Sequence, residues 1–192
     1  SEASGNSAMA LGRASLASAE LTTSVGAYSY ATGLHSTTLG AQAVASGTRA
    51  LAAGLTSVAS GQDATSIGSL ASASADYSTS VGAETGAQAS ASGYLAMAAG
   101  VAAEASNART TALGSFANAT GYESLASGAY SLSTGNRSTA LGGFASAEAN
   151  FATAIGGTSQ ATAQGSTAIG ALSNASGVQA MSVGFQSTAS GI

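Results

Sequence analysis

The stretch that decides the fold runs from Gln164 to Gly177 and reads QGSTAIG followed by ALSNASG. Each seven-residue half ends in glycine, and each has small residues two and four places before that glycine. The first half has Ile169 directly before its glycine, whereas the second has Ser176. Nearly all of the chain consists of variants of this pair, so the structure that the pair forms when it is repeated determines the fold.

The last residue of each seven, here called the anchor, recurs with little interruption. It appears every seventh residue from Gly5 to Gly82 and again from Gly93 to Gly191, with residues 83–86 inserted between the two runs. Of the 27 anchors, 22 are glycine, four are alanine and one is Asn107. Asparagine is the non-glycine residue that best tolerates a positive φ, which predicts such a backbone at the anchors.

The residues before each anchor alternate with a period of two. Positions two and four before the anchor are Ala, Ser or Thr in all 27 cases, whereas the positions between them vary. This alternation predicts a short β-strand with one narrow face. A coiled coil is excluded because glycine in one position of seven costs a helix about 1 kcal/mol each time.

The sevens are of two kinds, which alternate along the chain. A polar seven has Ser, Thr or Glu before its anchor, and an apolar seven has one large apolar side chain one or three places before it. All 13 anchors of the apolar sevens are glycine, which indicates that the turn after them lacks room for a side chain or needs a positive φ. The large residues of the apolar sevens are Leu11, Val25, Leu39, Leu51, Ile67, Val81, Met97, Leu113, Leu125, Leu141, Ile155, Ile169 and Val183.

A 14-residue unit with two strands and two turns predicts an all-β fold, a parallel β-roll or β-solenoid in one domain over residues 1–192. Thirteen such rungs, each about 4.8 Å high, give a rod on the order of 60 Å long. Small side chains fill the interior, so the two sheets should lie closer than the roughly 10 Å typical of stacked sheets. The insertion at 83–86 should lengthen one turn without changing the register, and inward hydroxyls should find hydrogen-bond partners.

The large apolar residues then form an outward stripe on one sheet. A long exposed apolar stripe is typical of a protein interface. Burying ten or more such side chains at about 1.5–3 kcal/mol each favours an obligate parallel homo-oligomer. The pattern fits three or more stripes closing on an axis better than an open dimer, but it does not count the subunits.

Several segments match a known repeat closely. Residues 166–177 read STAIGALSNASG, and 138–142 and 152–156 read STALG and ATAIG. They resemble the S-x-A-[IVL]-G-x-x-S-x-A-x-G repeat of YadA-like heads in trimeric autotransporter adhesins, over essentially the whole chain. The resemblance implies a homotrimer of left-handed β-rolls whose interface is the apolar stripe. It also implies a bacterial cell-surface location on a stalk above the outer membrane, and virulence-related adhesion to host cells or extracellular matrix. No neck, stalk or membrane-anchor pattern is found, so we expect a head fragment anchored through a C-terminal part outside this chain.

Composition argues against several other functions. A net charge of −4 with only four Lys and Arg residues excludes phosphate-backbone binding to nucleic acid. No apolar run approaches the roughly 18 residues that span a membrane, so this fragment is not expected to insert. There is no cysteine, and the single His35 has no paired carboxylate at catalytic or ligand spacing. We therefore expect no enzyme activity, no metal site and no cofactor.

Residues 14 apart should stack on adjacent rungs, which predicts two ladders in the turns. Arg109, Glu123 and Arg137 share one turn position, as do His35, Arg49, Asp63 and Tyr77 earlier in the chain, whereas Phe116, Tyr130 and Phe144 share the other turn. One interpretation is that alternating charges and stacked rings only support the roll. The other is that residues 109–144 form an adhesive patch for a ligand.

Three functions remain open at this stage. An adhesin head would bind cell-surface or matrix ligands through a repetitive surface. An ice-binding β-solenoid has a similar composition but requires flat ranks of exposed Thr-x-Thr, whereas here the ranked threonines pair with Leu, Val or Ile. A structural spacer would have the same fold and no ligand of its own.

Overall fold

The computed structural model describes residues 1–82 and 88–191. The chain is an all-β parallel solenoid of about 13 turns, and the described residues contain 27 short strands and no helix. It divides into two compact units, Ser1–Ala102 and Ala103–Ile192, which are described separately below. The single domain expected from the sequence stays a prediction, and the insertion at 83–86 lies outside the described residues.

Two kinds of strand alternate, as the two kinds of seven predict. Two-residue strands from the polar sevens form one sheet, the polar sheet, and three-residue strands from the apolar sevens form the other, the apolar sheet. In the first unit the polar sheet contains β1 (Glu2–Ala3), β3 (Leu16–Ala17), β5 (Tyr30–Ala31), β7 (Val44–Ala45), β9 (Val58–Ala59), β11 (Ser72–Ala73) and β13 (Ser90–Ala91). Its apolar sheet contains β2 (Met9–Leu11), β4 (Thr23–Val25), β6 (Thr37–Leu39), β8 (Leu51–Ala53), β10 (Thr65–Ile67), β12 (Thr79–Val81) and β14 (Met97–Ala99).

The second unit repeats the same two-sheet arrangement. Its polar sheet contains β15 (Glu104–Ala105), β17 (Asn118–Ala119), β19 (Leu132–Ser133), β21 (Ser146–Ala147), β23 (Gln160–Ala161), β25 (Asn174–Ala175) and β27 (Thr188–Ala189). Its apolar sheet contains β16 (Thr111–Leu113), β18 (Leu125–Ser127), β20 (Thr139–Leu141), β22 (Thr153–Ile155), β24 (Thr167–Ile169) and β26 (Met181–Val183).

The register of the strands follows the repeat. Paired residues lie 14 positions apart, as in the pairing of Ile155 with Ile169. Beyond the insertion, Thr79 pairs with Met97, which is 18 positions away. This pairing confirms the expectation that the register survives the insertion.

The turns form two edges of the roll. Edge A comprises the turns that follow apolar strands, and edge B the turns that follow polar strands. On edge A the amide of Tyr130 donates to the carbonyl of Ser115 at 2.9 Å. On edge B the amide of Arg137 donates to the carbonyl of Tyr122 at 2.7 Å. Each edge thus stacks on itself from rung to rung, and the turns extend the hydrogen bonding of the sheets.

The second residue after the anchor has a left-handed backbone in nearly every turn. Its φ lies between 53° and 62° in 24 non-glycine residues, among them Phe116 and Arg137. A left-handed conformation costs a residue with a side chain roughly 1–2 kcal/mol. In most of these turns the amide of the same residue donates an inter-rung hydrogen bond, as that of Arg137 does to Tyr122, which offsets this cost.

The anchors of the apolar sevens have positive φ, as the glycine pattern predicts. Gly142 has a φ of 133°, and a Cβ there would lie 2.6 Å from the carbonyl oxygen of Gly156. The prediction is wrong for the described anchors of the polar sevens, Asn107 included, because none of them has a positive φ; in the Asn107 turn the positive φ, 57°, lies two residues later at Arg109. The Asn107 side chain bonds the backbone instead, accepting from the amide of Ala108 at 2.8 Å and donating to the carbonyl of Thr120 at 3.2 Å.

Small side chains fill the interior, and the largest fully buried ones among the described residues are threonines. The buried alanine cluster of the first unit is Ala43, Ala45, Ala50, Ala52, Ala59, Ala64 and Ala73. That of the second unit is Ala140, Ala145, Ala147, Ala152, Ala154, Ala161, Ala168 and Ala175. Alanine buries little area per residue, so much of the cohesion must come from the backbone ladders.

Most of the buried hydroxyls have partners. Ser138 Oγ donates to the anchor carbonyl of Gly135 at 2.6 Å and lies 2.6 Å from Ser133 Oγ. Ser66 Oγ reaches the carbonyl of Ala71, at the start of the next polar strand, at 2.8 Å. Direct contacts of this length across the interior agree with a narrow gap between the sheets. Ser36 Oγ and Ser124 Oγ are exceptions, because neither has a partner among the described residues.

Candidate functional surfaces

The apolar stripe expected from the sequence lies on the outward face of the apolar sheet. Leu11 and Val183 are the most accessible of its residues, at 63% and 60% exposure, and Ile169 has 37%. Val25, Leu51, Leu113, Leu125, Leu141 and Ile155 are half-buried. Residues such as Leu141 and Ile155 stand in register, so the stripe is continuous from rung to rung within each unit.

Two methionines of the same face were missed by the sequence analysis. Met9 and Met181 are 51% and 68% exposed, and each lies two residues before a stripe residue on the same strand. The period-two alternation of a strand was the signal that could have found them.

The polar sheet is less uniformly polar than the sequence analysis assumed. In the first unit Leu16, Tyr30, Val44 and Val58 stand in register on its outer face. Tyr30 is exposed and the other three are half-buried. In the second unit Leu132 is the one large apolar residue at the equivalent position of the described strands, and it is half-buried.

Edge B of the second unit carries the predicted charge ladder. Glu123 accepts from Arg109 Nη1 at 2.7 Å through Oε1 and from Arg137 Nε at 2.8 Å through Oε2. The ladder continues at Arg137, whose guanidinium carbon lies 5.9 Å from the ring centre of Phe151. The two arginines and one glutamate leave a net charge of +1 on this ladder.

Hydrogen bonds from both arginines set the acidity of the central carboxyl. Donation from Arg109 and then from Arg137 lowers the pKa of Glu123 from 4.5 to about 2. The side chain is about a quarter exposed, whereas the arginines are more than half exposed. Glu123 is therefore the fixed centre of the ladder, with the arginines reaching outward from it.

The earlier edge B ladder contains a two-point ion pair. Arg49 donates from Nε to Asp63 Oδ1 at 2.6 Å and from Nη2 to Oδ2 at 2.5 Å. The hydrogen bond from Arg49 lowers the pKa of Asp63. His35 and Tyr77 occupy the same turn position on the neighbouring rungs, as expected.

Edge A of the second unit carries the predicted aromatic ladder. The ring centres of Phe116 and Tyr130 are 4.9 Å apart with an interplanar angle of 4°, and those of Tyr130 and Phe144 are 5.0 Å apart with an angle of 6°. The rings cover each other's faces, so their edges point away from the stack. All three are exposed, from 44% for Phe116 to 60% for Phe144.

The two ladders do not meet within one chain. One apolar strand separates edge B from edge A on every rung, which places the ladders roughly 16 Å apart for five extended residues. The residues of the adhesive patch proposed over residues 109–144 therefore form two separate surfaces on opposite edges of the roll.

Asparagine and aspartate side chains close a further set of inter-rung bonds on edge B, which sequence reasoning missed. Asn136 Oδ1 accepts from the amide of Tyr122 at 3.0 Å, and Asn150 Oδ1 accepts from the amide of Asn136 at 3.0 Å. Asp76 does the same for the amide of Gln62 at 2.8 Å. The signal was an Asx residue directly after the anchor on successive rungs.

Residues 1–82 and 88–191 bring together no group of three acidic or histidine side chains suited to a metal ion. They also form no helix long and apolar enough to span a membrane.

Comparison with known families decides the assignment. The model of the YadA head domain repeat matches residues 3–29, 31–57, 59–85, 91–117, 119–145, 133–157, 147–173 and 175–192. The chain belongs to the YadA head family. No curated protein sequence matches it. The YadA head is a structural domain of trimeric autotransporter adhesins, and heads of this family form trimers. Its repeats account for both the glycine anchors and the apolar stripe described above.

Proposed function

We propose that this YadA-like head works at a bacterial cell surface, as a parallel homotrimer that attaches the cell to host cells or extracellular matrix. The observation that carries the proposal is the family match over the whole chain together with a continuous apolar stripe on one sheet. A stripe of this kind is typical of a surface that a partner covers. The outer membrane would hold the trimer through a part of the protein outside this chain.

The stripe residues Leu11 to Val183 named from the sequence are the proposed trimer interface. Leu141→Asp tests it, because the substitution places three carboxylates beside the axis where apolar side chains should pack. Ser176→Asp is the control, since Ser176 is exposed on the outer face of the polar sheet. Sedimentation should give a trimer for the wild type and Ser176→Asp, and smaller species for Leu141→Asp. A trimer of unchanged stability in Leu141→Asp would contradict the assignment.

The two ladders are the proposed contacts for the adhesive ligand. Phe116, Tyr130 and Phe144 offer stacked apolar rings, and Arg109, Glu123 and Arg137 offer charged hydrogen-bonding groups. Aromatic and arginine side chains are enriched at protein-binding surfaces.

Replacing all three rings by Ser should weaken binding to immobilised matrix proteins or to host cells. Leu172→Ser is the control, because Leu172 occupies the same turn position two rungs beyond Phe144. Unchanged binding by a folded triple variant would refute the role of the aromatic ladder. A folded wild-type trimer that binds no cell or matrix protein would favour a spacer instead, and a monomer that shapes ice crystals would favour the ice-binding alternative.

A further inference from the structure

Exposed large apolar side chains in the second unit, Ala103–Ile192, avoid one face of the roll. The roll has four faces: the outer surfaces of the two sheets, and edges A and B. Of the eleven such side chains described there, three lie on the apolar sheet, five on edge A and three on edge B. On the apolar sheet they are Ile169, Met181 and Val183. On edge A they are Phe116, Tyr130, Phe144, Leu172 and Phe185, and on edge B they are Tyr122, Phe151 and Val178.

The first unit has the same distribution with one exception. Exposed leucines lie on its edges as well, Leu55 on edge A and Leu21, Leu34 and Leu95 on edge B. Tyr30 alone among its described residues is a large apolar side chain exposed on the polar sheet. Turns that stay in water ordinarily carry polar residues. The exposed large apolar side chains therefore continue from the stripe around both edges, whereas on the polar sheet the large apolar residues other than Tyr30 are half-buried.

Cyclic assembly explains why both edges carry exposed large apolar side chains. If three parallel copies turn their apolar sheets toward a common axis, each copy presents edge A to one neighbour and edge B to the other. Every junction then joins unlike edges, which is the heterologous contact of a closed ring. A two-copy sandwich would cover the sheets and leave both edges in water.

We infer that edge A of each protomer packs against edge B of the next, so that Phe116, Tyr130 and Phe144 of one copy meet Arg109, Glu123 and Arg137 of its neighbour. The inference rests on the proposed homotrimer and adds that the two ladders form a seam that no single chain contains. Edge A and edge B residues alternate along the chain at seven-residue intervals. Three-fold symmetry therefore puts Arg137 of one copy at a height between Tyr130 and Phe144 of the other.

The two ladders are chemically complementary. The rings of the aromatic ladder cover each other's faces, so a neighbour meets their edges, which carry partial positive charge. The Glu123 carboxylate suits such edges, and the aliphatic stems of the two arginines can cover apolar ring surface while their guanidinium groups stay in water. The sides of both ladders that face away from the axis would then line one groove between protomers, and the proposed ligand would bind in that groove.

The absence of cysteine allows a direct test by cross-linking. The double variant Tyr130→Cys with Arg137→Cys has one thiol on each edge, too far apart in one chain for a disulfide, whose Cα atoms must lie within about 7 Å. The pair Leu172→Cys with Gln179→Cys repeats the design on later rungs and leaves both ladders intact. Each single variant, and Tyr130→Cys with Thr134→Cys on the polar face, are the controls. Oxidation, and separately a short bismaleimide, supply the cross-link.

Both edge-to-edge pairs should give covalent trimers on a denaturing gel, with at least about tenfold less product from the controls, because unlike edges meet only at a seam. If sedimentation shows trimers but neither pair yields a cross-linked product, the proposed seam is wrong and the homotrimer is still supported. A monomeric wild-type chain would overturn both.

Discussion

Glu123 and Arg137, on adjacent rungs of edge B, are joined by a hydrogen bond of 2.8 Å from Nε to Oε2. The other carboxylate oxygen of Glu123 is occupied by Arg109 on the preceding rung. One carboxylate thus ties three rungs together, and its protonation would release both arginines.

This relationship predicts a specific pH dependence of stability. The pKa of Glu123 is lowered to about 2 in the folded chain, so its contribution is fully present above its ordinary pKa of 4.5 and is lost as pH falls toward 2. The urea midpoint of the wild type should therefore fall between pH 5 and pH 2 more steeply than that of Glu123→Gln. Glu104→Gln, which removes an exposed carboxylate from the outer face of the polar sheet, is the control for the loss of one negative charge. Parallel curves for wild type and Glu123→Gln would show that the ladder contributes nothing.

Two neighbouring glycines in one turn should differ sharply in how much stability is lost when each is replaced by alanine. Gly142→Ala forces a Cβ onto a residue with a φ of 133° and against the backbone of Gly156, so it should cost at least about 1–3 kcal/mol. Gly143→Ala should be nearly neutral, because its Cβ would lie 3.7 Å from the nearest atom, the carbonyl oxygen of Ala129. Denaturant unfolding of the two variants measures the difference. Equal effects would mean that the turn rearranges freely.

Two buried serines should respond in opposite directions to removal of the hydroxyl. Ser124 Oγ is buried without a partner, so Ser124→Ala should stabilise the chain by about 1 kcal/mol. Ser138→Ala removes a hydroxyl that bonds both Gly135 and Ser133, and should destabilise it by about 1–2 kcal/mol. Thermal unfolding of the pair tests the sign of each change, and a destabilised Ser124→Ala would contradict the assignment of an unpaired group.

The Asx bonds on edge B predict a residue-specific effect. Asn150→Ala removes the acceptor for the amide of Asn136 and should cost about 0.5–1.5 kcal/mol. Asn150→Asp keeps that acceptor, as Asp76 does at the equivalent position, and should be close to neutral. If both substitutions had the same effect on the unfolding midpoint, the inter-rung bond would not be the cause.

The sequence predicted what the period determines. A strict spacing between equivalent residues sets which side chains are neighbours, so the pairing of Ile155 with Ile169 and the stacking of Phe116 on Tyr130 followed from counting. Alternation within five residues distinguished inward from outward side chains, because successive side chains of a strand point to opposite faces of the sheet.

The left-handed turn position could not be predicted in the same way. Residues as different as Phe116, Arg137 and Ala102 occupy it, so no residue type marks it. In most of these turns the amide of this residue donates to the preceding rung, as that of Arg137 does to Tyr122, and the type of side chain has little influence. Spacing placed the two ladders in different turns, whereas the distance between those turns, one extended strand, follows from strand geometry.

The register of the strands has a consequence for how such a chain can change in length. Each described rung uses the one before it as a template, in sheets and turns alike, and equivalent positions carry interchangeable small residues. Duplication or loss of one whole repeat therefore creates a junction of the same kind as those already present and keeps the backbone hydrogen bonds of sheets and turns. The number of rungs can therefore change by unequal recombination within the gene, while the backbone cross-section of each rung stays the same.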